Sequence, residues 1–373
     1  MAATVSQDDV LRVLGTIQDP DLHRDIVSLG FVQDVKIQDG HVSFDIVLTT
    51  PACPVRDQMK AAAERVVMAL PGVRQVTVAM KANTTLGRGP QGPQERVLPG
   101  VKHVVAVASV KGGVGKSTTS VNLALALAAT GARVGLLDAD IHGPNIPLMM
   151  GIKQAPEVRG DEGKIIPITA YGIKLISIGF FLGPDDQAVI WRGPMVHSAI
   201  QQFVRDVKWG DLDYLVVDLP PGTGDAPLSL SQIVPLSGVV IVTTPQDVAL
   251  QDVVKGIAMF RRLEVPIVGI VENMAYFTCP CCNTRTDIFG TGGGHRLAER
   301  ANLPFLGEIP LDPAIREGGD QGRPVVVVAP NSAQAEAFRQ VAGAVAARLS
   351  VLAYQQTDAG QKAGGVPIKF FGR

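Results

Sequence analysis

The sequence predicts an α/β protein, a doubly wound and mostly parallel sheet preceded by a small α+β domain. Three observations carry this. From residue 102 onward, continuous apolar runs alternate with helical segments, the pattern of strands buried on both faces. A glycine-rich stretch, "KGGVGKSTT", lies between one such run and a helix. Residues 1–82 show a different rhythm and are set apart by a stretch crowded with Gly and Pro.

The N-terminal elements follow in order. Val10, Leu11, Val13, Leu14 and Ile17 have helical spacing over residues 6–17, ahead of Asp19-Pro20. "FVQDVKIQDGHVSFDIVL" reads as a hairpin turning at Asp39-Gly40. "PVRDQMKAAAERVVMAL" is a helix with Pro54 near its start, and "VRQVTVAM" is a last strand. Residues 1–82 are therefore expected to form an α-β-β-α-β domain, and 83–101 a semi-rigid linker.

In residues 102–352, "HVVAVAS", "RVGLLDAD", "DYLVVDLP", "GVVIVTT", "IVGIVEN" and "PFLGEIP" read as strands. Helices follow the first of them and close the domain at "NSAQAEAFRQVAGAVAARLSVL". Residues 353–373 are expected to be a flexible tail, with Phe370 and Phe371 available to dock.

Bulk properties narrow the function. A chain of 373 residues is long enough for two domains. The net charge of −1 provides no basic footprint, so neither nucleic acid nor a membrane surface is an expected partner. No apolar run is long enough to span a bilayer, and the N-terminus has acids where a signal peptide has positive charge. A cytoplasmic location is expected. Four cysteines in such a chain are no disulfide framework, so clustered ones point to metal or redox chemistry.

The glycine-rich stretch has the features of a phosphate loop. Gly112, Gly113, Val114 and Gly115 bring backbone N–H groups to phosphate oxygens without Cβ obstruction, and the next helix adds its positive end. Lys116 is placed to reach the β- and γ-phosphates of ATP, Ser117 to hold Mg²⁺ and Thr118 to meet the α-phosphate. The standard opening glycine is missing, since Ala108 stands there, and Lys111 opens the loop. Asp138 and Asp140 end one strand and Asp218 ends another, where ligands of parallel sheets collect. Asp218, after four apolar residues, has the Walker-B pattern that sets a carboxylate near Mg²⁺. Asp225 reads equally as a turn residue.

"KGGVGKST", with its extra lysine, resembles the deviant Walker-A ATPases, which include MinD, ParA and the nitrogenase iron protein. The resemblance implies that Lys111 reaches across a dimer to the partner's nucleotide and that Asp140 positions the attacking water. It further implies that Asp138 and Asp218 serve the magnesium shell and that Asn273, in "VENM", reads adenine. "PLDPAIRE" resembles the loop that closes over the base.

Cys279 and Cys282 have C-x-x-C spacing, half of what a tetrahedral zinc or an iron–sulfur cluster requires. No second pair exists, so a symmetric dimer is the simplest completion. A redox pair and a zinc knuckle closed by the dimer are the competing readings. Cys281 is read as a bystander, although it is also a possible alternative ligand or resolving thiol. Cys53 precedes a helix, where a thiolate gains from the N-terminus, but a buried structural thiol fits as well.

"SVKGGVGKST", "DADIHGPN", "DLPPGTGD" and "VENMAYFTCPCC" together resemble the Mrp/ApbC group of iron–sulfur cluster carrier ATPases. "LTTPACPVRDQM" resembles the small domain of SufT-like and PaaD-like assembly proteins, as does the acidic position Asp21. The resemblance implies a homodimer that hydrolyses ATP, holds a labile [4Fe–4S] cluster on Cys279 and Cys282, and exchanges it with scaffold proteins and apo clients. The switch residue His142 is expected to be structural. The runner-up reading is a MinD- or ParA-like positioning ATPase with a zinc-stabilised dimer.

Overall fold

The computed structural model describes residues 5–53, 55–82, 98–140, 143–152, 164–181, 193–224, 231 and 233–363. Most of the linker, His142, Asp225, Phe370 and Phe371 lie outside these residues. The chain divides into two units, Met1–Gly92 with Ala346–Arg373, and Pro93–Val345.

In the first unit, Ser6 caps helix α1 (Gln7–Leu14) through a reciprocal box with Asp9. The helix buries Val10 and Leu14. A short antiparallel pair follows, β1 (Gln18–Asp19) and β2 (Arg24–Asp25). Strands β3 (Val32–Gln38) and β4 (His41–Leu48) form the antiparallel hairpin. At its turn Asp39 and Gly40 both have positive φ, 47° and 81°, as a type I′ turn requires. Helix α2 (Arg56–Met68) then crosses over to β5 (Gln75–Ala82), which lies parallel to β4. Val42, Phe44, Ile46 and Leu48 alternate along β4 into the core, where Ala63 and Val67 of α2 meet them.

The second unit is built on an eight-stranded sheet. Its elements in chain order begin with β6 (Val101–Ala108), α3 (Lys116–Ala129), β7 (Val134–Asp138), α4 (Ile146–Met149), β8 (Ile168–Ala170), β9 (Ile173–Ser177) and α5 (Gly193–Arg205). Next come β10 (Leu212–Asp218), β11 (Gly238–Thr243), α6 (Asp247–Arg262), β12 (Ile267–Asn273), the short β13 (Phe277–Thr278) and β14 (Arg285–Thr286), and α7 (Gly293–Ala301). Strand β15 (Phe305–Ile309), α8 (Pro313–Asp320), α9 (Val325–Val328) and α10 (Ala333–Ala363) complete the series, the part of α10 from Ala346 onward belonging to the first unit.

The strand order is β15-β12-β11-β6-β10-β7-β9-β8, and every pairing is parallel except β8 with β9. Every residue of β7, β10, β11 and β12 is buried, which explains why those runs are apolar except for partnered polar residues near their ends. The β8–β9 hairpin, turning at Tyr171-Gly172, is an element the sequence reading passed over. The chain leaves β6 toward β7 on one side and later builds outward through β11, β12 and β15 on the other. The carboxyl end of β6 is therefore the switch point where ligands of such sheets bind.

Helix α10 runs on to Ala363, into the segment expected to be a flexible tail. Within the first unit, Tyr354 on this helix accepts a hydrogen bond from the Arg24 guanidinium. Among the described residues no helix is long and apolar enough to cross a membrane.

At the amino ends of the inner strands, away from the phosphate loop, Asp213 of β10 joins Lys102 of β6 to Arg133, the residue before β7. It accepts from Lys102 Nζ at 3.0 Å and from the Arg133 backbone N–H at 2.9 Å. Burial pushes its carboxyl up, but the Arg133 side chain and backbone and the Lys102 ammonium outweigh that and hold it at about 2. A carboxyl lowered by folding stabilises above its unfolded pKa of about 3.9, and the contribution is lost as pH falls through the folded value. Asp213→Asn is therefore expected to lower stability at neutral pH by on the order of 1 kcal/mol after solvent screening is allowed for. Urea midpoints should show the gap between wild type and variant narrowing as the pH is taken below about 4.

Candidate functional site

The loop after β6 rises to α3 through Gly113 and Gly115, with φ of 78° and 81°. Gly115 is the residue that caps α3. A Cβ there would collide with the Asn273 side-chain amide, whereas Gly112 and Gly113 have open space where a Cβ would stand. Backbone N–H groups at these positions can face an anion directly.

Two strand ends supply the acids. Asp138 and Asp218 are register partners at the ends of β7 and β10, and both are fully buried. Lys116 is 6% exposed, with Nζ 2.7 Å from Asp218 and 3.2 Å from Asp140. The Ser117 and Ser120 hydroxyls each donate to Asp218 at 2.6 Å. The Ser177 hydroxyl at the end of β9 donates to Asp138 at 2.7 Å. Burial pushes the Asp138 carboxyl up to about 8, and the Asp218 charge adds to the shift.

Lys116, Ser117, Asp138, Asp140 and Asp218 thus meet in one cluster, with Gly112, Gly113, Val114, Gly115 and Thr118 on the loop and helix start beside it. Ser120 and Ser177 were missed. Ser120 lies one helical turn beyond Lys116, a spacing that signals a shared face. Ser177 comes from a short strand that the apolar pattern did not mark.

Two other residues make contacts within the single chain. Lys111 is held within its own chain, donating to the Val248 carbonyl at 3.0 Å and pairing with Asp252 at 3.1 Å. Asn273 donates its amide to the Val114 carbonyl of the loop at 2.8 Å.

From Asn273 the chain continues directly into a cysteine-bearing arm. Met274 turns it with φ of 55°, and β13 and β14 pair antiparallel. The tip is closed by Cys279 N–H to Thr284 O at 3.0 Å and Asn283 N–H to Cys279 O at 2.8 Å. All three thiols are free. Cys279 is half-buried, while Cys281 and Cys282 are exposed. The Thr284 hydroxyl, 3.2 Å from Cys282 Sγ, together with the Thr284 backbone and Cys279, lowers the Cys282 pKa and so favours its thiolate. Among the described residues no group of three or more His, Cys, Asp or Glu is arranged to hold a metal, so a single arm offers two neighbouring thiols and no complete ligand set.

Cys53 lies in the first unit, half-buried against its core. Burial first, and the Asp19 and Asp21 charges after it, push its thiol to about 11, so of the two readings the neutral thiol is favoured. Asp21 is also raised, first by burial and then by Asp19.

A glycine loop at the switch point, a lysine among strand-end carboxylates and a hydroxyl beside them define a P-loop nucleoside triphosphatase domain. Comparison with known proteins narrows the class. Residues 100–346 match the family described as NUBPL iron-transfer P-loop NTPase, and residues 7–79 match that described as iron-sulfur cluster assembly protein. The chain belongs to this iron-transfer P-loop NTPase family.

Among its relatives, the iron-sulfur cluster carrier protein of Deinococcus radiodurans is 49% identical, over 92% of this chain and 96% of the relative. That of Synechocystis sp. is 49% identical over 94% of this chain and 99% of the relative. The iron-sulfur cluster transfer protein NUBPL of Dictyostelium discoideum is 49% identical over 71% of this chain and 83% of its own. A solved nucleotide-binding protein from Archaeoglobus fulgidus in complex with ADP is 41% identical, with a TM-score of 0.56, covering 64% of this chain and 92% of that one. The cell division ATPase MinD of Pyrococcus furiosus, 24% identical with a TM-score of 0.50 over 65% of this chain and 98% of its own, shares the fold.

The loop geometry makes Gly115 intolerant of any side chain, because positive φ and the Asn273 contact act together. Gly115→Ala is expected to weaken binding of a fluorescent ADP analogue by at least about tenfold, the effect of roughly 1.4 kcal/mol. The far-ultraviolet circular dichroism should not change. Wild-type affinity would contradict this reading of the loop.

Proposed function

We propose that this chain is an ATP-hydrolysing carrier that holds an iron–sulfur cluster between two copies of itself and passes it to apo-proteins. The observation that carries the proposal is the continuity of β12, which ends at the phosphate loop and leads straight into a pair of neighbouring thiols. Family membership and the names of the full-length relatives support it.

The cluster is cargo. Two thiolates from each arm would complete four ligands, and Cys279 and Cys282 are the pair with C-x-x-C spacing on the closed tip of the arm. A [4Fe–4S] cube suits four thiolates. Cys281, exposed at the tip, is assigned no ligand role. Scaffold proteins would supply the cluster and apo clients receive it. The reading places this exchange in the cytoplasm, without nucleic acid or membrane partners.

The nucleotide site suits Mg·ATP on its donor set. Asp138, Asp140 and Asp218 with the Ser117 hydroxyl offer hard oxygens around one ammonium, and Asp138, whose carboxyl burial has raised, would give up its proton beside a dication there. In the proposed roles, backbone N–H groups from Gly112 to Thr118 cradle the phosphates and Lys116 exchanges its carboxylate partners for phosphate oxygens. Ser117, Asp138 and Asp218 hold the magnesium shell, Asp140 orients water, and Asn273 meets the adenine. Lys111 leaves Asp252 and acts on the partner's nucleotide, so that hydrolysis is slow, magnesium-dependent and confined to the dimer.

Two experiments test this. After anaerobic reconstitution with iron and sulfide, the wild type should bind about four irons per dimer. Cys279→Ala with Cys282→Ala should bind none, and Cys281→Ala should match the wild type. A colourless wild type that retains zinc would support the positioning ATPase in place of the carrier. Separately, Lys111→Ala should keep its affinity for ADP while losing ATP turnover, measured by phosphate release. Unchanged turnover would remove the trans-acting lysine from the scheme.

A further inference from the structure

The cysteine arm is a weak structure when considered alone. Its two strands pair over Phe277–Thr286 and Thr278–Arg285 only, and a short isolated hairpin is marginal in water. Its root is joined to the last residue of β15 and to the chain just after it by two backbone bonds, Ala275 N–H to Ile309 O at 3.0 Å and Leu311 N–H to Tyr276 O at 2.7 Å. Beyond that root, among the described residues, the one ion pair from the arm to the sheet is Arg285 with Glu308 of β15, at 3.3 Å. The same guanidinium stacks over the Tyr276 ring at 4.0 Å and pairs with Asp287 at 3.1 Å. One planar, five-donor group therefore clasps both ends of the arm and fastens them to β15.

The attachment matters because of where β12 and β15 end. They are neighbours in the sheet, with Glu272 and Asn273 opposite Glu308 and Ile309. β12 ends at Asn273, on the Val114 carbonyl of the phosphate loop. β15 continues into Leu311 and Asp312, the segment whose sequence resembles a base-covering loop. A shift at the carboxyl ends of these strands reaches the thiols as a rigid movement only if the arm is fastened to the sheet.

We propose that Arg285 is a positioning residue for the cysteine pair, through its clasp on Glu308, and that this clasp makes the exposure of the thiols depend on the nucleotide. The inference rests on the carrier reading for its purpose, but its test requires no cluster. Arg285 is about half exposed, so its replacement leaves no core cavity.

The experiment uses the full-length, reduced, metal-free protein. The rate of iodoacetamide labelling at Cys279 and Cys282 is followed by mass spectrometry, with and without a non-hydrolysable Mg·ATP analogue, and with an added cysteine-containing peptide as the reference. In the wild type the nucleotide should change the labelling rate by about fivefold, the lower end of a typical coupling between sites. In Arg285→Ala and in Glu308→Ala that ratio should fall to about one, with analogue affinity unchanged. Arg285→Lys should restore part of it, because the charge pair survives without the planar fork. Asp287→Ala, which removes a partner within the arm's own stretch of chain, should keep it. A wild type with no nucleotide dependence, or an Arg285→Ala protein with the full ratio, would overturn the proposal. Failure of iron to bind would count against the carrier reading and leave this result standing.

Discussion

The ammonium of Lys116 is buried at the carboxyl edge of the sheet between the carboxylates of Asp218 and Asp140, with Asp138 behind them. Isolated charges of either sign are costly to bury, so the Lys116 ammonium and its two carboxylate partners are tolerable only together, while Asp138, raised to about 8, is held as a proton carrier beside them. The surrounding structure serves that balance. Ser117 and Ser120, from the first turns of α3, satisfy Asp218, and Ser177 satisfies Asp138. The strands that carry the acids are buried on both faces, so their ends are held in register rather than by side-chain packing at the surface. A triphosphate with its metal would enter by substituting for one charge partner at a time, which suits a site that binds and releases.

The same sheet edge has a second role because β12 does not stop at a turn. Asn273 touches the phosphate loop, and the next residues become the thiol arm. In a sheet whose central strands are rigid, the strand ends are the parts able to move. The proposed coupling of nucleotide and cargo therefore needs no long relay of side chains. It needs one strand end shared by both sites and an arm fastened firmly enough to follow it. The proposed pairing of two chains follows from the same arm, since among the described residues no group of three or more metal-ligating side chains stands around Cys279 and Cys282.

Much of this was legible in the sequence, for a definite physical reason. Strands buried on both faces are mostly apolar, so β6, β7, β10, β11 and β12 stood out, and an acid at the end of such a strand, Asp138 or Asp218, stood out against them. Glycines in positive-φ positions and an adjacent lysine marked the loop. Asp39-Gly40 marked the N-terminal hairpin because few other pairs accept two left-handed residues. The residues that escaped notice act through tertiary contacts without local spacing. Ser177 is placed by the β8–β9 hairpin, whose strands are too short for a clear period. Asp252 meets Lys111 across more than a hundred residues of chain. Arg285 reads as an ordinary polar residue after the cysteines until Glu308 is brought beside it.

The most direct test of the account is the mass of the loaded species. Anaerobic native mass spectrometry of the reconstituted protein should find one cluster of about four irons and four sulfides on two chains, with single chains carrying none. A complete cluster held by a single chain would contradict it, because the two neighbouring thiols of one arm would then not be half of a site.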